Sequence, residues 1–196
     1  LNEERYAAWG SDQYQQPEPA AFVFSGDVYR GLDIRSFSQE TLAYAQERLR
    51  MLSGLYGILR PLDQIRPYRL EMGTKFTIKR NTNTLYKYWD NKITESVQQL
   101  ADSDYGMVVN LASNEYAKVI DWKQLDATVI TPSFLDNKNG TYKALMTYAK
   151  QCRGAMAAFI MKERISTPEH LQAFDWNGYV FNPDLSEEGK PVFTRG

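Results

Sequence analysis

Apolar and polar positions alternate in short stretches along the chain, with no unit repeating. From Ser38 to Gly54, Leu42, Ala45, Leu49 and Leu52 keep a helical spacing, which predicts one helix across the stretch. Ser38 is placed to cap it and Gly54 to stop it. A second long amphipathic helix is predicted within 81–103, capped by Thr84, and a third closes the stretch that runs through the "NKNG" turn to Ile165. Strands are expected at "AFVFSG" (21–26), at Lys75–Lys79 and at Met107–Leu111. The Asn-Gly pair of "NKNG" predicts a hairpin, and "GYVFNPDLSEEGKPVFTR" (178–195) a final one. "DVYRGLDIRSF" (27–37) reads as irregular, with room for one helical turn. "GLYGILRPLDQI" (54–65) reads as a tight turn, then a short helix opened by Pro61. Hairpins and helices without a steady βαβ rhythm predict an α+β (mixed α/β) fold, with helices packed on a mixed sheet.

Composition narrows the classes. The chain has 196 residues, 43% apolar and 24% charged, which suits one globular domain. No apolar run approaches the roughly 18 residues of a membrane span, and no secretion leader is visible. Cys152 has no partner for an internal disulfide, and with His170 as the single histidine a Cys/His structural zinc site is excluded. A cytoplasmic location is expected, with no metal and no cofactor. "LNEERYAAW" (1–9) reads as the tail of a helix already under way.

The formal net charge of −1 conceals a local excess. Between Arg48 and Arg80 stand eight basic residues and two acids, while the remainder carries 15 basic and 22 acidic. A polyanion responds to the local field, not to the net charge. Within this segment Gly54 and Gly57 sit three apart, flanked by Arg50, Arg60, Arg66, Arg69 and Lys75. A glycine turn between two helices would be a helix-hairpin-helix-like element, in which backbone N–H groups hold a phosphate. The arginines would add bidentate hydrogen bonds. The alternative is a helix-capping glycine beside a solvated charged face.

Other candidates fall outside that segment. "NLASNEY" follows a buried strand, where α/β proteins place ligands. Asn110, Ser113, Asn114 and Glu115 form a possible polar pocket there, unless Ser113 and Asn114 only cap the next helix. Lys150 and Arg153 share a helical face and offer a second phosphate contact, with Gly154 permitting close backbone approach. Glu71, between arginine and glycine, reads as a salt-bridge orienter or a pocket carboxylate. Asp136 reads as a turn residue and Cys152 as a buried thiol, a peroxide-sensing thiolate being the alternative.

Six segments together, "GDVYRGL" (26–32), "LRMLSGLYGILRPLD" (49–63), "PYRLEMG" (67–73), "NLASNEY" (110–116), "FLDNKNG" (134–140) and "YAKQCRGAMAAFI" (148–160), resemble the YaaA family of peroxide-stress-resistance proteins. The resemblance implies a cytoplasmic bacterial protein that limits free iron and the DNA damage it causes. It further implies duplex DNA bound in a basic cleft of an unusual α/β fold with a helix-hairpin-helix element. Family members open with a strand and a Ser-Pro-Ala-Lys loop, which this chain does not carry. Residues 1–196 are therefore expected to form a single domain lacking its N-terminal strand and loop. The expected function is oxidative-stress defence by largely sequence-independent binding of duplex DNA, as a monomer, without a membrane and without an assignable reaction. The alternative is an enzyme acting on a nucleotide or nucleobase-like small molecule in the same cleft.

Overall fold

The structure is a computed structural model that describes residues 16–79, 82–103 and 105–196. The predicted helical tail at 1–9 lies outside them. Elements run β1 (Glu18–Pro19), α1 (Ala20–Val23), α2 (Asp27–Leu32), α3 (Gln39–Arg48), β2 (Met51–Ser53), β3 (Gly57–Leu59), β4 (Gln64–Ile65), β5 (Lys75–Lys79) and β6 (Thr82–Thr84). They continue with α4 (Leu85–Trp89), α5 (Lys92–Ser103), β7 (Met107–Val109), α6 (Asn114–Ala117), β8 (Thr128–Ile130), β9 (Ser133–Lys138), β10 (Thr141–Lys143), α7 (Met146–Glu163), β11 (Val180–Phe181) and β12 (Val192–Arg195). The fold is mixed α+β, as expected. Among the described residues no helix is long and apolar enough to cross a membrane.

The largest sheet has the order β10-β9-β12-β11, with β9 and β12 parallel and the outer pairs antiparallel. The hairpin predicted at "NKNG" joins β9 to β10, with Asn139 and Gly140 both at positive φ, as a tight primed turn requires. The remaining strands pair two by two: β1 with β4, β2 with β3, β5 with β6, and β7 with β8 in parallel.

Helix α7 stands at the centre. Its Cys152, Met156 and Ile160 pack with Phe134, Phe174, Tyr179 and Phe193 against the four-stranded sheet. Ala157 and Ala158 pack the other way, with Ala20, Leu32, Met51 and Ile65. Small residues let helix α2 approach closely. A Cβ at Gly154 would lie 1.8 Å from the Val28 carbonyl oxygen, and one at Gly31 would lie 2.0 Å from that of Gln151. The two glycines thus face each other's helix reciprocally. A third core, of Met72, Leu85, Ile93, Val97, Val119 and Ile120, joins α4 and α5 to the β7–β8 pair.

Several sequence expectations change, beginning with Asp27–Leu32, expected to be irregular, which forms helix α2. The residues Ala20–Val23 form a helix rather than a strand, with the Ala20 and Ala21 N–H groups donating to Asp63 and Pro61 carbonyls at 2.9 and 3.0 Å. A short apolar run is ambiguous between buried strand and buried helix. Helix α3 starts at its Ser38 cap, where the hydroxyl accepts from the Thr41 N–H at 3.1 Å, but it ends at Arg48, not at Gly54. The glycine turn then joins strands β2 and β3, so at this stretch a β-hairpin replaces the helix-hairpin-helix-like element. Gly57 takes the left-handed conformation (φ +78°) that closes a three-residue loop, and Pro61 sits in a turn closed by the Asp63 N–H on the Arg60 carbonyl at 3.2 Å. The helix predicted within 81–103 is broken at Asp90 (φ +46°), with the Thr84 cap in place.

Alanine usually improves a helix by about 1 kcal/mol over glycine. At Gly154 the obstacle is backbone, which cannot rotate away, so overpacking dominates. Gly154→Ala is expected to lose about 3 kcal/mol, lowering Tm by about 6–12 °C. Thermal unfolding followed by circular dichroism checks this, and a shift below about 2 °C would contradict so close a crossing.

Candidate functional site

A half-open cleft of about 1060 Å³ runs between α2, the end of α3, the 67–73 loop, the carboxyl end of β7 and one face of α7. Each element brings polar groups for a local reason. Helix α3 ends at Arg48 with Leu49 as its C-cap, and Arg50 turns back to donate to the Gln46 and Leu49 carbonyls at 3.2 and 2.9 Å. The guanidinium thus satisfies orphan acceptors at a helix C-terminus, where positive charge is favoured. Burial lowers its pKa, nearby Arg60 lowers it further, and Glu47 and Asp63 oppose that. Arg48 lies over the Tyr44 ring, 4.1 Å from its centroid. Lys150 and Arg153, three apart on α7, line the same cleft, and burial lowers the Arg153 pKa.

The opposite wall is built by the loop after β7. The Asn110 N–H donates to the Ile130 carbonyl at 2.7 Å, and its side-chain oxygen accepts from the Ala112 N–H at 3.2 Å. Ser113 caps α6 and also lines the cleft. Glu115 accepts from the Gly73 N–H at 2.7 Å, while its carbonyl accepts from the Tyr86 hydroxyl at 2.9 Å. That carboxylate ties the 67–73 loop, which carries Arg69 and Glu71, to the 110–116 loop.

Eight of the residues singled out in the sequence therefore share one cleft: Arg50, Arg69, Lys150, Arg153, Glu71, Asn110, Ser113 and Glu115. The basic and polar groups, read separately in sequence, line a single space, with Arg69 and Glu71 on one loop. Gly54, Gly57, Arg60, Arg66, Lys75 and Asn114 are not among its lining. Gly54 and Gly57 instead admit close packing. A Cβ at Gly54 would lie 2.5 Å from the Leu70 carbonyl oxygen, and one at Gly57 would lie 2.8 Å from the Trp89 ring. The Trp89 indole N–H donates to the Gly54 carbonyl at 3.0 Å. Arg60 pairs with Asp63 at 3.1 Å, and the Arg66 N–H donates to the Tyr56 hydroxyl at 3.0 Å.

Sequence reasoning missed the aromatic wall and two carboxylates. Phe24, Tyr29, Tyr68 and Tyr116 line the cleft, as do Asp27 and Glu47. Phe24 stacks on Tyr29 with centroids 5.1 Å apart and meets Tyr68 edge-on at 6.1 Å. Burial raises the Tyr29 pKa, and neighbouring Tyr68 and Tyr116 add to the rise. The signal lay in "GDVYRGL" and "PYRLEMG", whose tyrosines sit beside glycine, proline or charge rather than inside apolar runs. Among the described residues, no three of His, Cys, Asp and Glu converge as a metal-binding group.

Away from the cleft, Asp136 is a buried strand residue, not a turn residue. It accepts from the Tyr179 hydroxyl at 2.5 Å and from Arg195 Nε at 2.8 Å. The turn is made by Asn139 and Gly140, and the Asn137 side chain supports it by accepting from the Gly140 N–H at 2.9 Å. Cys152 is fully buried beside this group. Burial is the main reason its thiol is pushed up to about 12.

The cleft thus joins an apolar and aromatic lining to cations and carboxylates drawn from several separated segments. Residues 1–185 match the family model described as peroxide stress protein YaaA. The whole chain is 48% identical to a UPF0246 protein of Saccharophagus degradans, covering 77% of it, and 48% identical to one of Alcanivorax borkumensis, covering 76%. A UPF0246 protein of Hahella chejuensis is 44% identical, with 77% covered. The chain belongs to the YaaA family of peroxide-stress proteins.

A peroxide-reactive cysteine must be exposed and ionised. Cys152 is neither, so alkylation by iodoacetamide at about pH 8 is expected to be at least about 100-fold slower in the folded protein than in urea. An unfolded thiol loses its proton near 9.0, while the folded one keeps it to about 12. Above pH 9.0 the unfolded state therefore binds fewer protons, and this group lowers stability progressively up to about pH 12. Equal alkylation rates in the two states would contradict the burial.

Proposed function

We propose that the cleft is a phosphate-binding site through which this cytoplasmic peroxide-stress protein holds duplex DNA and limits iron-driven damage to it. The supporting observation is convergence. Arg48 and Arg50 at the end of α3, Arg69 on the 67–73 loop, and Lys150 and Arg153 on α7 come from three separated segments to one cleft. Such groups contact phosphate without reading base identity, so binding is largely sequence-independent. A cleft of about 1060 Å³ is far smaller than a turn of duplex. The duplex therefore lies across its mouth, where Arg69 is exposed.

The link to iron follows from the polyelectrolyte character of DNA. Each phosphate neutralised by a protein cation releases condensed counterions. Ferrous ions held on the backbone are among those displaced, so peroxide meets less iron at the DNA. The reading requires no catalysed step, no resident metal, no cofactor and no second copy of the chain.

Fluorescence anisotropy of a labelled duplex over a salt series tests it. Affinity is expected to fall steeply with salt and to be competed by unrelated duplex. Lys150→Ala and Arg153→Ala should each weaken binding and reduce the logarithmic salt slope by about 1. Arg60→Ala should leave the slope unchanged, because Arg60 pairs with Asp63 and does not line the cleft. No binding at low salt would overturn the reading.

A further inference from the structure

The cleft is not uniformly basic. Among the described residues its lining carries five cations but also four carboxylates, Asp27, Glu47, Glu71 and Glu115. A groove that only tracked phosphates would gain nothing from acids, which repel them. Its volume is at the upper end of the ~300–1,000 Å³ typical of small-ligand pockets. One flank is the aromatic group of Phe24, Tyr29 and Tyr68, and rings of this kind stack on any flat heterocycle.

Three chemistries are therefore arranged around one space. Guanidinium groups suit a phosphate, aromatic rings suit a planar ring, and carboxylates with Asn110 suit the polar edge of that ring. Asn110 commits its side-chain oxygen to the Ala112 N–H at 3.2 Å, which leaves its amide nitrogen as the donor. Glu115 accepts from the Gly73 N–H through one oxygen and keeps the other. Glu71 is exposed at the cleft. Carboxylates accept from N–H groups, so they favour a base bearing amino or ring N–H donors.

We propose that the cleft holds a single nucleotide with an amino-bearing base, its phosphate toward Arg50 and Arg153, its ring toward the Phe24–Tyr29–Tyr68 wall, and its base edge toward Glu71 and Asn110. The inference rests on the phosphate-binding reading of the same cleft. Two sources supply this chemistry: a free nucleoside monophosphate, or an unpaired nucleotide of a DNA strand lying across the mouth. An unpaired base is the cheaper of the two DNA forms to insert, since extruding a paired base costs a few kcal/mol of unstacking.

The test uses the full chain with five probes: deoxyguanosine monophosphate, deoxyguanosine, inorganic phosphate, a fully paired duplex, and a duplex carrying one unpaired deoxyguanosine. Guanine presents two adjacent N–H donors that match one carboxylate. In calorimetric titrations the monophosphate is expected to bind at least tenfold more tightly than the nucleoside or phosphate alone. Glu71→Gln should lose about tenfold for the monophosphate and nothing for inorganic phosphate. Glu71 is exposed, so this variant keeps the fold. Tighter binding of the bulged duplex than of the paired one, by tenfold or more, assigns the source to DNA. Binding of the monophosphate without either duplex assigns it to free nucleotide and overturns the DNA reading alone. Equal binding of both duplexes, with no advantage of the monophosphate over inorganic phosphate, overturns the nucleotide pocket and leaves the DNA reading standing. No binding of any probe overturns both.

Discussion

The close crossing of α2 on α7 is the constraint on which the rest of the molecule depends. Gly31 and Gly154 remove the side chains that would hold the two backbones apart, and each faces the partner helix's main chain. Close packing recovers dispersion contacts that a wider gap would forfeit. The gain is positional as well. One face of α7 is then fixed against the four-stranded sheet, and the residue beside Gly154 is Arg153, at the cleft. The start of α2 brings Asp27 and Tyr29 to the same space. Widening this crossing would separate the aromatic wall from the cations of α7, so core packing and site geometry are here one requirement.

The charge distribution is resolved by folding in a way its linear form does not suggest. The basic segment from Arg48 to Arg80 reads as a single cationic patch. In three dimensions it divides. Arg48, Arg50 and Arg69 turn to the cleft, whereas Arg60 is neutralised by Asp63 and Lys75 lies elsewhere. The cleft recovers its positive charge from α7, about a hundred residues along the chain, and receives carboxylates from α2, α3, α6 and the loop after β4. Charges of both signs therefore stand side by side in its lining, Glu47 next to Arg48 and Glu71 two residues from Arg69.

Much of this was legible in the sequence. The caps at Ser38, Thr84 and Ser113 form, because a hydroxyl accepting from a nearby N–H is a local interaction that needs no tertiary partner. The Asn-Gly hairpin forms for the same reason. Gly154 could be read as a close approach, though not what approaches it. What was hidden is decided by distant contacts. The "LSGLYG" glycines fit a helix boundary as well as a hairpin, and only Leu70 and Trp89, brought in by later segments, decide between them. The long predicted helix breaks at Asp90 and places Trp89 against the Gly54 turn. The polar pocket and the arginines were each visible, but their union required knowing that the 67–73 loop is tied to Glu115. Asp136 shows the converse case, a polar residue next to turn residues that tertiary pairing draws into the core.

That buried carboxylate clarifies how a peroxide-stress protein can lack a reactive thiol at its centre. Tyr179 and Arg195 satisfy Asp136, and the parallel register of β9 with β12 sets Arg195 directly beside it. A slip of one residue would turn Arg195 to the opposite face and leave Asp136 buried without its cation. The network therefore holds the register of the sheet on which α7 rests. Cys152 is enclosed by the same packing, and burial together with neighbouring Asp136 disfavours its thiolate, outweighing the opposing effects of Arg195 and Tyr179. Oxidation there would require opening the core that fixes the cleft. The side chains that meet the outside are instead the cations, carboxylates and tyrosines of the cleft. The thiol serves as one more apolar contact in the core that holds α7 in place.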